Sequence, residues 1–434
     1  MKGQIFVTVA AVLVLTPSGM ASQQPGDTDD LRILSDYLRY AALNNAGLKA
    51  TFEQWKAAME QVPQAKALPD PRFTYGRFIE EVETRVGPQR NKLGISQMFP
   101  WFGKIEARTQ AAGAAAKAAR QRYEAAKLKL FFEVKNTFHE YAYLAKAIEI
   151  ARENLELIED FEQVALTKYI GAAAGHPDIV RAQVELAKLE DQLRTLEGLR
   201  EPIAARLNAV LNRRGPGPLP WPQQEKHRVI EIDRGQIKEI LTAQNPELRA
   251  LDFELESAKS RVELAKKKFY PEIGVGIDWI QTDDALMAGT RDSGKDPIVL
   301  MFSMNVPIWR ESYKAAEIQA KALARKAQHQ KTETKNTLIA RVERVLYDFE
   351  DSERKRRLYG GILVPKAQEL VNASEAAYQG GTIDFLSLID AQRTLLKFEL
   401  LRERAVTDNR QKLAELEMLV GAELNTADKA DDRE

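Results

Sequence analysis

The 434-residue sequence predicts a mainly α-helical protein with a small β section, built as a duplicated strand–strand–long-helix repeat. Three observations carry this expectation. Charged residues make up 29% and aromatics 8%, with abundant Ala, Leu, Glu, Lys and Gln, the composition of long helices rather than of a globular enzyme. YIGAAAGHPDIVRAQ (Tyr169–Gln183) recurs 209 positions later as YQGGTIDFLSLIDAQ (Tyr378–Gln392), with the Tyr, the first Gly and the final Ala-Gln in register. The flanks repeat in the same order: NAGLKA and NPELRA, DPRFTYGRF and YPEIGVGID, MFPWFGK and NVPIWRESYK, LNAVLNR and LEMLVGAEL.

The chain opens with Lys2, an apolar run from Ile5 to Leu15 and the small-residue site Gly19-Met20-Ala21. That pattern reads residues 1–21 as a cleaved export signal, too short to span a membrane. Cysteine is absent, which excludes disulfides, a Cys-zinc site and lipid attachment through Cys.

The first repeat is expected over 31–213. Its strands lie around Phe73–Ile79 and Leu93–Phe99, with a polar loop, Glu81–Arg90, between them. A proline-free stretch from Phe102 to Tyr169 allows one helix of about 100 Å at 1.5 Å per residue, long enough to need a coiled-coil partner. The partner is legible after the turn, where Ile179, Ala182, Leu186, Leu189, Leu193 and Leu196 keep a 3-4 spacing that Ile203, Leu207 and Val210 rejoin. The alanine-rich run Gln110–Ala119 permits close backbone approach.

Four prolines in RRGPGPLPWPQQ mark a linker, placed at 214–224. The second repeat, 225–424, has the cleaner strands. Ile273, Val275, Ile277 and Trp279 point one way while Gly274, Gly276 and Asp278 point the other. Leu300, Phe302, Met304 and Val306 alternate likewise, and a polar loop, Thr282–Pro297, separates the two strands. In both repeats the second strand ends on proline beside an aromatic, which places Trp101 and Trp309 where a membrane–water interface or a strand-end packing contact would use them. Residues 425–434 form a polar tail.

Charge and motifs exclude several functions. The 63 basic and 63 acidic residues balance, so nothing favours nucleic acid. His139, His176, His227 and His329 are scattered, and no GxSxG, P-loop or HExxH is present, so no catalytic residue, metal or cofactor is expected. No stretch after the signal reaches transmembrane-helix length, so the exported chain is either soluble or held in lipid by strands. Four strands are too few to close a barrel; two chains would supply eight and three would supply twelve. The competing reading is a helical rod or periplasmic coiled-coil adaptor without a pore, which leaves the alternating strands unexplained.

The export signal, the duplicated plan, the prolines at strand ends and the YxxG…AQ turns together resemble the TolC-type outer-membrane efflux channels, over roughly Leu31–Leu424. The resemblance implies a homotrimer with a twelve-strand outer-membrane barrel continued by a periplasmic α-helical barrel. It implies a passive conduit for small molecules or metal ions, working with a periplasmic adaptor and an inner-membrane pump. Gly171, Gly380 and Gly381 then lie in the helix-to-helix turns that meet the adaptor. Asp390 matches a constricting aspartate of the pore, and Asp178 and Tyr378 match a pair that holds the helices closed. Ser387 replaces a second constricting aspartate, and Ile383 stands where an arginine often joins the closing network.

Overall fold

The computed structural model describes residues 31–213, 219–223 and 233–424. The expected export signal, the polar tail and most of the linker lie outside those residues. Helices α1 (Leu34–Asn44) and α2 (Ala46–Lys66) lead into strands β1 (Arg72–Thr84) and β2 (Gly87–Phe99). Helix α3 (Lys104–Ile170) follows, and α4 (His176–Gly198) and α5 (Arg200–Leu211) return beside it. The second half repeats the order as α6 (Arg234–Gln244), α7 (Pro246–Lys267), β3 (Ile273–Thr282), β4 (Ile298–Met304) and α8 (Arg310–Leu358). A five-residue π-helical turn, Tyr359–Leu363, joins α8 to α9 (Val364–Gln379), and α10 (Phe385–Val420) returns.

The repeated asparagines have one job in both halves. Asn45 caps α2 by accepting from Leu48 N at 2.8 Å and donates its amide to Val210 O at 2.8 Å. Asn245 caps α7 by accepting from Leu248 N at 2.9 Å and donates to Leu419 O at 2.7 Å. Each thus satisfies an orphan helix-start N–H while tying that helix to the last helix of its own half.

Helix α3 runs 67 residues and starts two residues later than expected, because Gly103 takes the left-handed conformation (φ 76°) ahead of it. The alanine-rich run does not face α4. Ala111, Ala114 and Ala118 are buried where α3 packs on α2 and α7, and Ser257 of α7 donates to Ala111 O at 2.8 Å. Gln110–Ala119 sits near the sheet end of a helix whose turn partner covers only its far end, so α7 occupies the close approach instead.

The four strands form one antiparallel sheet in the order β1-β2-β3-β4. Its register aligns Phe73, Ile95, Ile277 and Leu300 in one row across all strands, with Tyr75, Leu93, Trp279 and Ile298 in the next. These rows form an apolar, largely exposed face, whereas Gly274, Gly276 and Asp278 are buried on the opposite one. On that inner side Lys92 pairs with Asp278. Glu81–Arg90 is not the loop expected from its polarity. Both strands continue through it to a tight turn at Arg85-Val86, with Thr84 opposite Gly87. Past the apolar rows β1 is exposed on both faces while the start of β2 is covered by the β3–β4 loop, so alternation ceases to mark a strand there. The longer β3–β4 loop packs on that turn through Asp283 N to Pro88 O (2.9 Å) and Gly294 N to Val86 O (2.8 Å).

Burial concentrates in three clusters. One joins α1, α3 and α5 around Tyr37, Phe138, Tyr141 and Leu207. Its counterpart in the second half joins α6, α8 and α10 around Leu241, Val342, Leu346 and Leu416. The third lies at the end farthest from the sheet, where α3, α4, α9 and α10 pack Ile158, Phe161, Leu189, Val371, Phe385 and Leu388. Among the described residues, no helix is long and apolar enough to cross a membrane.

Candidate functional site

At the far end two helix-to-helix turns lie together, one between α3 and α4 and one between α9 and α10. Each outgoing helix ends on a glycine with negative φ followed by a residue with positive φ. Gly171 has φ −77° and Gly380 has φ −75°; the positive φ falls on Ala172 (55°) and Gly381 (75°). Of the three glycines expected in these turns, only Gly381 therefore needs glycine for its backbone. A Cβ at Gly171 or Gly380 would meet carbonyl oxygens at ordinary contact distance.

The structure brings Asp178 and Tyr378 together. The Tyr378 hydroxyl donates to Asp178 Oδ2 at 3.4 Å, joining the two halves at their tips. Tyr378 is 3% exposed and its ring packs edge-on against Phe385. Burial, reinforced by the Asp178 charge and this hydrogen bond, pushes its phenol up to about 12. Asp178 sits in the first turn of α4, where the exposed N–H groups favour an acid, and also accepts from Arg181 Nη1 at 3.4 Å.

Asp390 is separate from that pair. Two turns into α10, it is not at the cap, and its side chain is 64% exposed with Arg393 Nη1 at 3.2 Å. The residue that caps α10 is Asp384, which accepts from Ser387 N at 2.9 Å and Ser387 Oγ at 2.7 Å. Those bonds hold its carboxyl below the usual range. Ser387 serves this cap through both its backbone N–H and its hydroxyl.

Three contributors were missed at the sequence level. Lys168, in the last turn of α3, donates to the carbonyls of Tyr378 and Gln379 and sits 4.5 Å from the Tyr378 ring centroid. A cation against the last carbonyls of α9 complements that helix's negative end. Arg393 and Glu185 form a fork, Nε–Oε1 at 2.9 Å and Nη2–Oε2 at 2.5 Å, tying α10 to α4. The Arg393 hydrogen bonds hold the Glu185 carboxyl below its usual range despite partial burial. The sequence signal for Lys168 was only its place in a last helical turn, and for Arg393 its i+3 spacing from Asp390.

At the other end Trp309 is 74% exposed beside Ile308 and Val306. Trp101 is half-buried and stacks on Tyr270 at 5.3 Å, so it packs a strand end. Among the described residues no group of His, Asp and Glu could hold a metal ion.

An open apolar sheet at one end and a duplicated helical rod at the other leave the family to be decided. The family described as Outer membrane efflux protein matches residues 38–213 and 238–422, nearly all of both halves. The chain belongs to this family. Nodulation protein T of Rhizobium leguminosarum bv. trifolii is 20% identical over 421 residues, covering 92% of this chain and 87% of the relative. CusC, a transmembrane channel, has the same fold with TM-score 0.78 at 15% identity, covering 90% of this chain and 92% of that one. The open state of the Neisseria gonorrhoeae MtrE outer membrane channel gives 0.73 at 19%, covering 92% and 91%.

As a member, this efflux protein is the outer-membrane channel of a tripartite system. It is a homotrimer with a largely periplasmic helical portion, and it works with a periplasmic adaptor and an inner-membrane pump. Its family is a channel family rather than an enzyme class. The open edges of β1 and β4 accord with this assembly, since unpaired strand edges cannot stand in lipid and closure needs further chains.

Proposed function

We propose that the two tip turns form the periplasmic gate of this efflux channel, with Asp390 from each of three chains lining the constriction and Asp178–Tyr378 holding the closed arrangement. The observation that carries this reading is the Tyr378–Asp178 hydrogen bond, which spans the duplicated halves where the helices end. Lys168 strengthens the clasp by holding the α9 carbonyls. Asp390 is 64% exposed beside Arg393, and a ring of three such carboxylates would present negative potential to the axis. Gly171, Gly380 and Gly381 form the adaptor-facing turns, and Trp101 and Trp309 stand at the periplasmic membrane interface. The protein is a passive conduit without enzymatic activity, taking small molecules or metal ions handed on by the pump.

Single-channel current in planar bilayers tests the gate. Asp390→Ala is expected to lower cation preference and to relieve block by divalent cations added from the periplasmic side, and Tyr378→Phe to raise the open probability. Unchanged selectivity and block in Asp390→Ala would place the constriction elsewhere.

A further inference from the structure

On β2 and β3 the apolar sheet face gives way to a row of different chemistry, while on β1 Ile79 lies exposed beyond it. Register places Arg77 of β1, Asn91 of β2 and Gln281 of β3 side by side, one step beyond the Tyr75–Leu93–Trp279–Ile298 row. All three point to the same side as the apolar residues. The Tyr75 hydroxyl donates to Asn91 Oδ1 at 2.9 Å, and the Asn91 amide donates to Gln281 Oε1 at 2.7 Å. Phe99 and Asn91 lie about 27 Å apart along the strand at 3.4 Å per residue. At the strand tilt usual in such barrels this is roughly 20 Å of height, close to a full apolar band. The row therefore sits at headgroup level, on the rim away from the helices.

Arg77 is exposed and has no hydrogen-bond or ion-pair partner among the described residues. Neighbouring charges are differently placed. Lys92 faces inward and is paired with Asp278, while Glu81 and Asp283 are both engaged by Arg90. The three residues offer one guanidinium and two amides above an aromatic and aliphatic surface, and the carboxylate at the β4 end of the row, Asp296, is engaged by Thr282 N at 2.7 Å. A fork-shaped cation that can reach along an apolar face fits a tetrahedral oxyanion whose acyl chains continue down that face.

We propose that Arg77, with Asn91 and Gln281, binds the phosphate-bearing headgroup of an outer-leaflet lipid, whose chains cover the Tyr75–Trp279 row. A single basic residue at a membrane surface contributes enough to enrich such a lipid about five-fold.

The test uses the full-length trimer in nanodiscs of phosphatidylcholine with a minor fraction of phosphatidic acid, with lipid retained after detergent exchange measured by native mass spectrometry. Wild type is expected to retain phosphatidic acid about five-fold over Arg77→Gln, with Arg77→Lys between the two. Equal retention by wild type and Arg77→Gln in intact trimers would overturn the proposal. Loss of trimer in Arg77→Gln with unchanged lipid selectivity would also overturn it, by assigning Arg77 to a neighbouring protomer's carboxylate.

Discussion

Tyr378 and Tyr169 occupy the same frame of the duplicated turn, yet one is 3% exposed and the other 44%. The difference lies in the third dimension: Tyr378 fits between Phe385 and Lys168, while Tyr169 meets His176 edge-on. Sequence could show that the frame repeats, but not which copy is used. Gln392 behaves the same way. It is buried and donates to Asn154, whose amide in turn reaches Glu399, while Gln183 is exposed. The turn glycines separate sharply by φ. Gly381→Val forces a β-branched side chain into the left-handed region at a local cost of about 1–3 kcal/mol and is expected to impair efflux. Gly171→Ala and Gly380→Ala are expected to export at the normal rate. An efflux assay at matched trimer levels decides, and equal impairment at all three positions would contradict the φ argument.

His139 carries a second prediction at this scale. It is buried in α3 with Nδ1 unpartnered among the described residues, and burial, then the charges of Arg410 and Lys135, hold its pKa at about 3. The unfolded chain takes up a proton near 6.5 that the folded one refuses, so stability is full above about pH 6.5 and falls as pH drops towards 3. Melting temperature should fall between pH 7.5 and 5, and His139→Leu should flatten that fall. An unchanged slope in the variant would assign the acid sensitivity to other groups. The Glu185–Arg393 pair does not confuse the test, because a depressed Glu pKa acts only below about 4.5.

Among the elements, the long helices and the second-half strands were legible because one period ran unopposed through each. Alternation in Ile273–Trp279 has a buried glycine face to set it against, and β3 follows it. The breaks in the helices were not legible. Helix α4 gives way to α5 at Leu199 inside an intact 3-4 pattern, and α8 passes through a π-helical turn at Tyr359–Leu363. Both breaks lie at one level, flanked by the Arg152–Glu197 and Glu140–Arg404 contacts. Spacing alone cannot report them, since a one-residue π insertion shifts a helical face without ending it. The capping asparagines give the element-scale prediction. Asn245→Ala removes a cap and leaves the buried Leu419 carbonyl without its donor, costing about 2–3 kcal/mol. Asn45→Ala, at a half-buried site, should cost about 1–2 kcal/mol. Thermal unfolding in detergent should rank them in that order, and no shift for either would deny that the repeated asparagine ties each half together.

For the whole molecule, the sheet demands partners that the chain cannot supply itself. Phe73, Tyr75, Ile298, Leu300 and Phe302 lie exposed on its two edge strands, an arrangement that aggregates in water and leaves backbone groups unsatisfied in lipid unless further strands close it. Eight strands from two chains would fill their interior with side chains, whereas twelve from three leave a lumen. The trimer is thus the smallest assembly that both closes the sheet and conducts. The mass of the detergent-solubilised, purified complex measures this directly. Three chains per complex is the predicted result, and a stable monomer or dimer with native strand content would contradict it.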